Sequence, residues 1–426
     1  MTQQTHFENL PLANVRVIDL TMVIAGPYCT RFLSDLGAEV IKVEACRKMD
    51  GYRGGPAPDA GSRYYPNGEP GERPWHRHAY FNTLNRNKLG ITLDLTTPEG
   101  VDIVKQLVAV SDVLVENYSS RVMRQLGLHF EILNAINPRL IMCSMPGFGL
   151  TGPHKDYVAY GTTIEAMSGL ASLLGYEDGP PMHSGMAYGD PVAGITAADA
   201  VLTALLYRDR TGTGQHVEVA QVEAASCLIG EAFMDYFMNK RLPSRQGNRH
   251  RSAAPHGCYP TAGDDQWVAI AVCSDAEWQR FCKAIGQPAL ADDSRFADAL
   301  SRWKNQAELD EIVAAWTCQH DHYAVMRILQ AAGVAAGPVL SADELLADPQ
   351  LVARGFFIEM EQPEVGRHPY PTLPARSSVF PTPLVRRPAP RLGEHNRLVL
   401  QELLGLPEER IAKLEQDGVI GTEPIT

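Results

Sequence analysis

The chain has 426 residues, of which 45% are hydrophobic and 21% charged, so it can bury the cores of two or three globular domains. Its formal net charge of −12 excludes an overall basic surface for nucleic acid, and an anionic ligand would need a local cluster of Arg and Lys. The sequence shows no apolar run long enough for a membrane span, and its polar first ten residues differ from a signal peptide. We therefore expect a cytoplasmic protein without nucleic-acid or membrane partners.

Neither cysteine nor histidine has the spacing of a metal site. The eight cysteines form no Cys-x-x-Cys pair, and the thirteen histidines form no His-x-x-x-His pair. We therefore expect no bound metal.

The first 150 residues alternate short β-branched runs with helical patterns. The predicted strands are 15–20, 38–44, 90–95, 112–117 and 140–144. This alternation predicts a doubly wound α/β sheet, whose ligands bind in the loops beyond the carboxyl ends of the strands. The loops in question are 22–27, 44–53, 117–124 and 145–153. The first of them lacks the Gly-x-Gly-x-x-Gly of a dinucleotide site, which disfavours a nicotinamide enzyme.

A loop with two acids separates two predicted helices in the middle of the chain. The helix 162–174 ends at Gly175, because glycine and the two prolines that follow cannot continue its hydrogen bonds. The next helix begins near Pro191, with Asp190 as its N-cap. Asp178 lies in this loop beside a glycine, where a small molecule can approach the backbone closely. The alternative interpretation is an ordinary acidic turn without a function.

The composition changes near residue 246, where a polar, basic stretch precedes a second pattern of helices and strands. We assign 246–364 to a smaller α+β domain. The large domain combines 8–222 with 385–426, and linkers at 223–245 and 365–384 join the two domains.

Short motifs run through the chain in a fixed order. They are Val17-Ile-Asp-Leu20, Ala25-Gly-Pro27, Leu36-Gly-Ala-Glu-Val-Ile-Lys-Val-Glu44, Asn85-Arg-Asn-Lys88, Val115-Glu-Asn117, Gly175-Tyr-Glu-Asp-Gly-Pro-Pro181, Gly212-Thr-Gly-Gln-His216, Gly247-Asn-Arg-His250, Gly337-Pro-Val339 and Leu392-Gly-Glu-His395. Each alone is a weak signal, but in this order they show that the sequence resembles the class III CoA-transferases. This CaiB/BaiF family includes formyl-CoA transferase and carnitine CoA-transferase.

The resemblance implies a Rossmann-like large domain with a parallel sheet, a smaller α+β domain and an interlocked homodimer. It also implies that Asp178 is a covalent nucleophile. Its carboxylate would attack a donor acyl-CoA to give an acyl-aspartyl anhydride, and the CoA thiolate would convert this into an aspartyl-CoA thioester. An acceptor carboxylic acid would then reverse the two steps. Coenzyme A enters as part of the acyl-CoA substrate, and no permanently bound cofactor is implied.

The same resemblance assigns CoA contacts to Val23, Ile24, Ala25, Asn117 and Tyr118. Three positions where family members carry a basic residue are Ala45, Gln125 and Pro146 here. Other cations must therefore hold the phosphates of CoA. The candidates are Arg47, Arg53, Arg86, Lys88, Arg121 and Arg124, each of which would otherwise be an ordinary solvated charge.

Four further residues are candidates for contact with the acyl group. Glu165 lies on the helix before the Asp178 loop, where the alternative is a surface acid. Arg249, His250 and His256 lie on a basic loop that covers the active site in relatives. An arginine there could bind a second carboxylate of the substrate in a bidentate manner.

Other functions within the family stay open. An intramolecular CoA transferase would use the same Asp178, whereas an inactive partner subunit would be expected to lack it. An α-methylacyl-CoA racemase needs a His-Asp pair where this chain has Tyr160-Gly-Thr162, so that reading is disfavoured. The stretch 247–262 also lacks the glycine-only loop of formyl-CoA transferase, which disfavours oxalate as a substrate.

Overall fold

A computed structural model describes residues 10–56, 58, 62–380 and 384–425. Residues 8 and 9, at the start of the expected large domain, lie outside the described residues, as do 381–383 in the expected second linker. The chain divides into two compact units. Unit 1 consists of Met1–Ala171, His183–Met238 and Val352–Thr426, and unit 2 consists of Ser172–Met182 and Asn239–Leu351.

A six-stranded parallel sheet forms the centre of unit 1. Its strands are β1 (Arg16–Asp19), β2 (Glu39–Glu44), β3 (Leu89–Thr92), β4 (Val113–Glu116), β5 (Ile141–Ser144) and β6 (Gln215–Glu218). They lie in the order β3-β2-β1-β4-β5-β6, and every neighbouring pair is parallel. This is the Rossmann strand order, which confirms the predicted fold class, and the order reverses between β1 and β4.

Within the described residues, ten α-helices precede the second unit's sheet along the chain. They are α1 (Ala25–Asp35), α2 (Ala79–Leu84), α3 (Pro98–Ala109), α4 (Val122–Gln125), α5 (Phe130–Ile136), α6 (Gly161–Met167), α7 (Leu170–Leu173), α8 (Gly189–Thr211), α9 (Gln221–Ser226) and α10 (Gly230–Asn239). The single helix expected at 162–174 is divided at Gly169, whose φ of +87° ends α6. Asp190 lies in the first turn of α8 behind the cap residue Tyr188, so its assignment as the N-cap was wrong.

Helix α8 packs tightly on α1 through small residues. A Cβ atom on Gly194 would stand 2.7 Å from the carbonyl oxygen of Ala25, so only glycine allows this approach. α8 is also long and apolar enough to cross a membrane, contrary to the expectation from the sequence. Half of its most apolar window is buried inside the protein, as is usual for a core helix of a globular domain.

Unit 2 contains a three-stranded antiparallel sheet and five helices. The strands β7 (His256–Pro260), β8 (Trp267–Ala271) and β9 (Ala335–Val339) lie in that order. The helices are α11 (Asp275–Ala284), α12 (Ala299–Lys304), α13 (Gln306–Thr317), α14 (His322–Ala331) and α15 (Ala342–Ala347). Buried aromatic side chains, among them Trp278 and Phe281, fill the core between sheet and helices. The sequence predicted no strand at β7, because the residues HGCYP lack the alternation of polar and apolar side chains that is typical of a strand.

The end of the chain returns to unit 1. Helix α16 (Pro349–Ala353) leads into the antiparallel hairpin β10 (Phe357–Gln362) and β11 (Gly366–Pro371). A π-helix (Leu398–Leu403) and α17 (Glu408–Gln416) follow. His395 exchanges hydrogen bonds with the backbone of Gly90 and so covers the edge of β3. This pairing blocks an exposed sheet edge.

Candidate functional site

The loop after β1 meets the loop after β4 where the strand order reverses. The side chain of Asn117 accepts a hydrogen bond from the N–H of Met22 at 2.8 Å and donates one to its carbonyl oxygen at 2.9 Å. Ligands of doubly wound sheets bind at this position. The structure therefore brings Asn117 and the loop 22–25 together at the expected edge of the sheet.

Val23 in this loop has a left-handed backbone with a φ of +70°, which is rare for a β-branched residue. Its N–H donates to Asp50 Oδ1 at 3.0 Å. The other oxygen of Asp50 accepts from Lys42 Nζ at 2.9 Å, and the same ammonium donates to the carbonyl oxygen of Thr21 at 2.8 Å. These buried contacts hold the strained loop in place, and Ile24 and Ala25 follow it at the start of α1.

Three of the six expected phosphate-binding cations are fully buried and already paired, which corrects that assignment. Arg53 forms an ion pair with Glu44 at 2.8 Å, Arg86 with Asp35 at 2.6 Å and Lys88 with Asp19 at 2.9 Å. None of these side chains exposes more than 1% of its surface. A buried charge needs such a partner, so we assign the three cations to the interior of unit 1.

The pair of Lys88 and Asp19 shows how strongly this interior shifts ionisation. Burial lowers the pKa of Lys88 to about 8, although the charge of Asp19 opposes the shift. Burial raises the pKa of Asp19, but the charges of Lys88 and Lys42 outweigh it and bring the value to about 2. Both groups are therefore charged at neutral pH.

Arg47, Arg121 and Arg124 keep exposed side chains beside the carboxyl edge of the sheet. Arg47 is 63% exposed and lies 3.8 Å from Asp94, and Arg124 is 70% exposed with a 4.0 Å contact to Glu131. Such long contacts at exposed positions are weak. Tyr118 instead packs against the core, and burial raises the pKa of its hydroxyl.

Asp178 lies in a turn of unit 2 that is anchored on both sides. The guanidinium of Arg245 donates to the carbonyl oxygen of Gly179 at 2.9 and 3.2 Å. The N–H of Gly247 donates to the carbonyl oxygen of Gly175 at 2.9 Å. Gly247 has a φ of +59°, and a Cβ atom there would meet the ring of Tyr176 at 3.0 Å. Asp178 itself is exposed.

A cavity of about 760 Å³ within unit 2 is lined by this turn, the loop 246–249, strand β7 and helix α13. Asp178, Arg249 and His256 all contribute to its wall, so the structure brings Asp178 together with two residues that lie 71 and 78 positions further along the sequence. His250 does not line the cavity but lies against His256, with 5.1 Å between ring centroids.

The cavity also contains residues that the sequence did not single out. Arg249 Nη2 donates to Asp310 Oδ2 at 3.4 Å, and the hydroxyl of Tyr259 donates to Asp310 Oδ1 at 2.8 Å. Burial, with the charge of Asp310, raises the pKa of Tyr259. Asp310 lies on α13 at a position without any motif, so only the tertiary structure reveals its place.

Glu165 does not have the substrate-facing position that we considered for it. It is fully buried in unit 1 and accepts hydrogen bonds from the N–H of Ser184 at 2.9 Å, the hydroxyl of Ser184 at 2.6 Å and the N–H of Tyr188 at 2.5 Å. Burial alone would raise its pKa, but these bonds outweigh burial and lower it. Glu165 therefore fixes the segment that leads into α8.

Within the described residues, no three His, Cys, Asp or Glu side chains converge as a metal site.

Comparison with known proteins now gives these sites a context. The model of CoA-transferase family III matches residues 12–396. The chain is 38% identical to the succinyl-CoA–D-citramalate CoA-transferase of Chloroflexus aurantiacus, over 96% of this chain and 98% of that one. It is 37% identical to the succinate–glutarate CoA-transferase of Agrobacterium fabrum, over 92% and 96% of the two chains. The crystal structure of a CAIB/BAIF family protein from Brucella suis superposes with a TM-score of 0.82 at 35% identity, covering 93% of this chain and all of that one.

The fold and these similarities define an enzyme that transfers coenzyme A between acids. The chain belongs to CoA-transferase family III.

Proposed function

We propose that this enzyme transfers CoA from a donor acyl-CoA to an acceptor carboxylic acid through covalent intermediates on Asp178. The observation that carries the proposal is the exposed carboxylate of Asp178 in an anchored turn at the wall of a cavity that also holds a guanidinium and an imidazole. A carboxylate suits the reaction because an anhydride retains the free energy of the thioester for the second half of the cycle.

The atoms balance in four steps. The carboxylate of Asp178 attacks the thioester carbonyl and expels the CoA thiolate, which leaves an acyl-aspartyl anhydride. The thiolate then attacks the aspartyl carbonyl and releases the donor acid, which keeps the bridging oxygen that came from Asp178. The acceptor carboxylate attacks the carbonyl of the aspartyl-CoA thioester and expels the CoA thiolate, which gives a second acyl-aspartyl anhydride. The thiolate finally attacks the acceptor's acyl carbon and releases the carboxylate of Asp178. Asp178 is regenerated with one oxygen from the acceptor.

We place the CoA moiety at the reversal point of the parallel sheet. The support is the strained loop around Val23 and the hydrogen bonds between Asn117 and Met22. The exposed cations Arg47 and Arg121 lie in the loops that follow β2 and β4. The start of α1 follows this loop, and helix N-termini attract anions. Arg121→Ala should therefore raise KM for every acyl-CoA by a similar factor.

We propose a dicarboxylate substrate, with succinyl-CoA as the first donor to try. The support is the names of the two relatives above, which act on succinate or succinyl-CoA with a second dicarboxylate. Transfer within one molecule uses the same Asp178 and is distinguished by product analysis with an isotopically labelled acceptor.

We also propose a homodimer. Helices α8 and α10 expose several large apolar side chains, which a second copy would cover: Leu206 is 66% exposed, Met234 56% and Met238 73%. Light scattering of the purified protein should give twice the mass of the chain, and Leu206→Glu should shift it towards the monomer. A wild-type mass of one chain would refute the dimer.

The experiment that tests the central proposal is trapping with hydroxylamine. The wild type, Asp178→Asn and Glu177→Gln are incubated with a panel of acyl-CoAs and digested for mass spectrometry. We expect a hydroxamate on Asp178 in the wild type and in Glu177→Gln, and none in Asp178→Asn. Glu177 is the control because its carboxylate is adjacent to Asp178 in the same cavity. Trapping on Glu177, or on neither residue with any donor, would refute the proposal.

A further inference from the structure

The cavity that holds Asp178 has an unbalanced set of charges. Among the described residues that line it are the carboxylates of Glu177, Asp178, Asp310 and Glu311 and a single guanidinium, that of Arg249. An anionic acyl group entering this cavity would be repelled except where a cation neutralises it. The position of Arg249 therefore decides where a second negative charge of the substrate can be held.

Arg249 is positioned by Asp310 without being locked to it. The contact from Nη2 to Asp310 Oδ2 measures 3.4 Å, which is long beside the 2.7–2.9 Å typical of hydrogen bonds between ions. The other oxygen of Asp310 accepts the hydroxyl of Tyr259 at 2.8 Å, and this bond fixes the carboxylate. The Arg249 side chain is 39% exposed, so its guanidinium can reach a ligand.

His256 offers a second group beside Arg249. Its Nδ1 lies 2.8 Å from the carbonyl oxygen of Asn248. A carbonyl oxygen only accepts, so Nδ1 carries the hydrogen, and Nε2 of the neutral ring is an acceptor. Arg249 and His256 both line the wall that Asp178 shares.

We propose that Arg249, beside His256 in the cavity wall, binds the second carboxylate of a dicarboxylic acyl group, with Asp310 as the counter-ion that holds Arg249 until the substrate arrives. This inference rests on the proposed reaction at Asp178 and specifies its substrate class. The reacting carboxyl lies at Asp178, while the distal carboxylate replaces Asp310 as the partner of the Arg249 guanidinium. The guanidinium can bind this carboxylate through two N–H groups. Asp310 keeps its bond to Tyr259 throughout.

The test compares two donors that differ only in the distal carboxylate. Succinyl-CoA and butyryl-CoA have acyl chains of the same length, and the rate of hydroxamate formation on Asp178 gives kcat/KM for each. Arg249→Ala should lower the value for succinyl-CoA roughly 10- to 100-fold, the loss expected for one or two hydrogen bonds between ions, and leave butyryl-CoA within about 2-fold. Arg249→Lys keeps the charge without the fork and should lie between.

Two further variants separate binding from structure. Arg327→Ala is the matched control, because Arg327 is also an exposed arginine of unit 2 with a long contact to an aspartate, 4.0 Å from Asp321, and lies outside the cavity. It should leave both donors unchanged. Asp310→Asn removes the competing charge and should increase the ratio of succinyl-CoA to butyryl-CoA. Inhibition of labelling by free succinate and free butyrate gives a second readout that needs no turnover of either donor.

The outcomes distinguish the two proposals. If both Arg249→Ala and Arg249→Lys slow the two donors equally, or if the wild type prefers butyryl-CoA, the subsite is refuted while the reaction at Asp178 stands. If no acyl-CoA labels Asp178 in the wild type, the proposed reaction itself is refuted, and this inference with it. A selective loss with succinyl-CoA, together with weaker inhibition by succinate but not by butyrate, supports the subsite.

Discussion

Asp190 provides a quantitative test of the energetics around the start of α8. Its side chain is only 7% exposed and packs against Gly161, where a Cβ atom would stand 2.5 Å from Asp190 Oδ2. Burial, assisted by the negative charge of Glu165, raises the pKa of Asp190 from 3.8 to about 6. The helix N-terminus favours the carboxylate by about 0.5 kcal/mol, which is too little to reverse the effect of burial.

The sign of the pH dependence follows from this shift. A carboxyl with a raised pKa in the folded protein binds its proton more tightly there than in the unfolded chain. Its stabilising contribution is complete below the unfolded pKa near 4 and is lost as the pH rises through about 6. The difference of about two pKa units, at 1.36 kcal/mol each, corresponds to roughly 3 kcal/mol above pH 7.

Asp190→Asn should remove this penalty, because asparagine has the same volume without the charge. We expect the variant to be only about 0.5 kcal/mol more stable than the wild type at pH 4, and about 3 kcal/mol more stable at pH 8. Urea denaturation at both pH values measures the difference. Asp199→Asn, at an exposed position of the same helix, is the control for removing a carboxylate from α8. The same stability difference at pH 4 and pH 8 for Asp190→Asn would refute the reasoning.

Three other substitutions test the interior of unit 1. Lys88→Met leaves Asp19 buried without its cation and should lower the free energy of unfolding in urea by about 3–5 kcal/mol, and adding Asp19→Asn should restore part of it. Equal stability of Lys88→Met and the wild type would contradict our reassignment of Lys88. Val23→Gly relieves the strain of the left-handed backbone, so the Tm of the variant should be unchanged or higher while its KM for acyl-CoA rises several-fold. A lowered Tm with an unchanged KM would contradict this. Glu165→Gln places an amide group among donors and should cost about 2 kcal/mol, whereas a neutral result would show that the segment at Ser184 needs no carboxylate.

The first five strands of the parallel sheet were predictable because short apolar runs alternate there with helical patterns. Strands β7 and β11 were harder to predict. β7 has glycine and cysteine where the pattern needs alternation, and β11 has two prolines that sequence reasoning assigns to a linker. Pairing with a neighbouring strand, which the local sequence does not encode, decides both cases.

The candidate site shows the same division. The turn around Asp178 could be predicted because glycine and proline determine its backbone. The sequence could not predict which cations are buried and which are exposed. An arginine or lysine beside a predicted ligand-binding loop has the same sequence signature whether it faces solvent or a buried carboxylate. Arg53 and Lys88 pair with acids on neighbouring strands or loops, whereas Arg47 remains exposed. Asp310 became visible only through its contacts with Arg249 and Tyr259.

The most direct test of the central claim follows an oxygen atom. The enzyme is allowed to turn over with an acyl-CoA donor and an acceptor acid whose carboxylate is labelled with ¹⁸O. It is then digested, and the mass of the peptide that contains Asp178 is measured by mass spectrometry. The proposed reaction leaves one acceptor oxygen on Asp178 in each turnover, so the peptide should gain ¹⁸O and the donor acid released later should carry it. Transfer of CoA to the labelled acceptor without any ¹⁸O in this peptide would contradict covalent catalysis by Asp178.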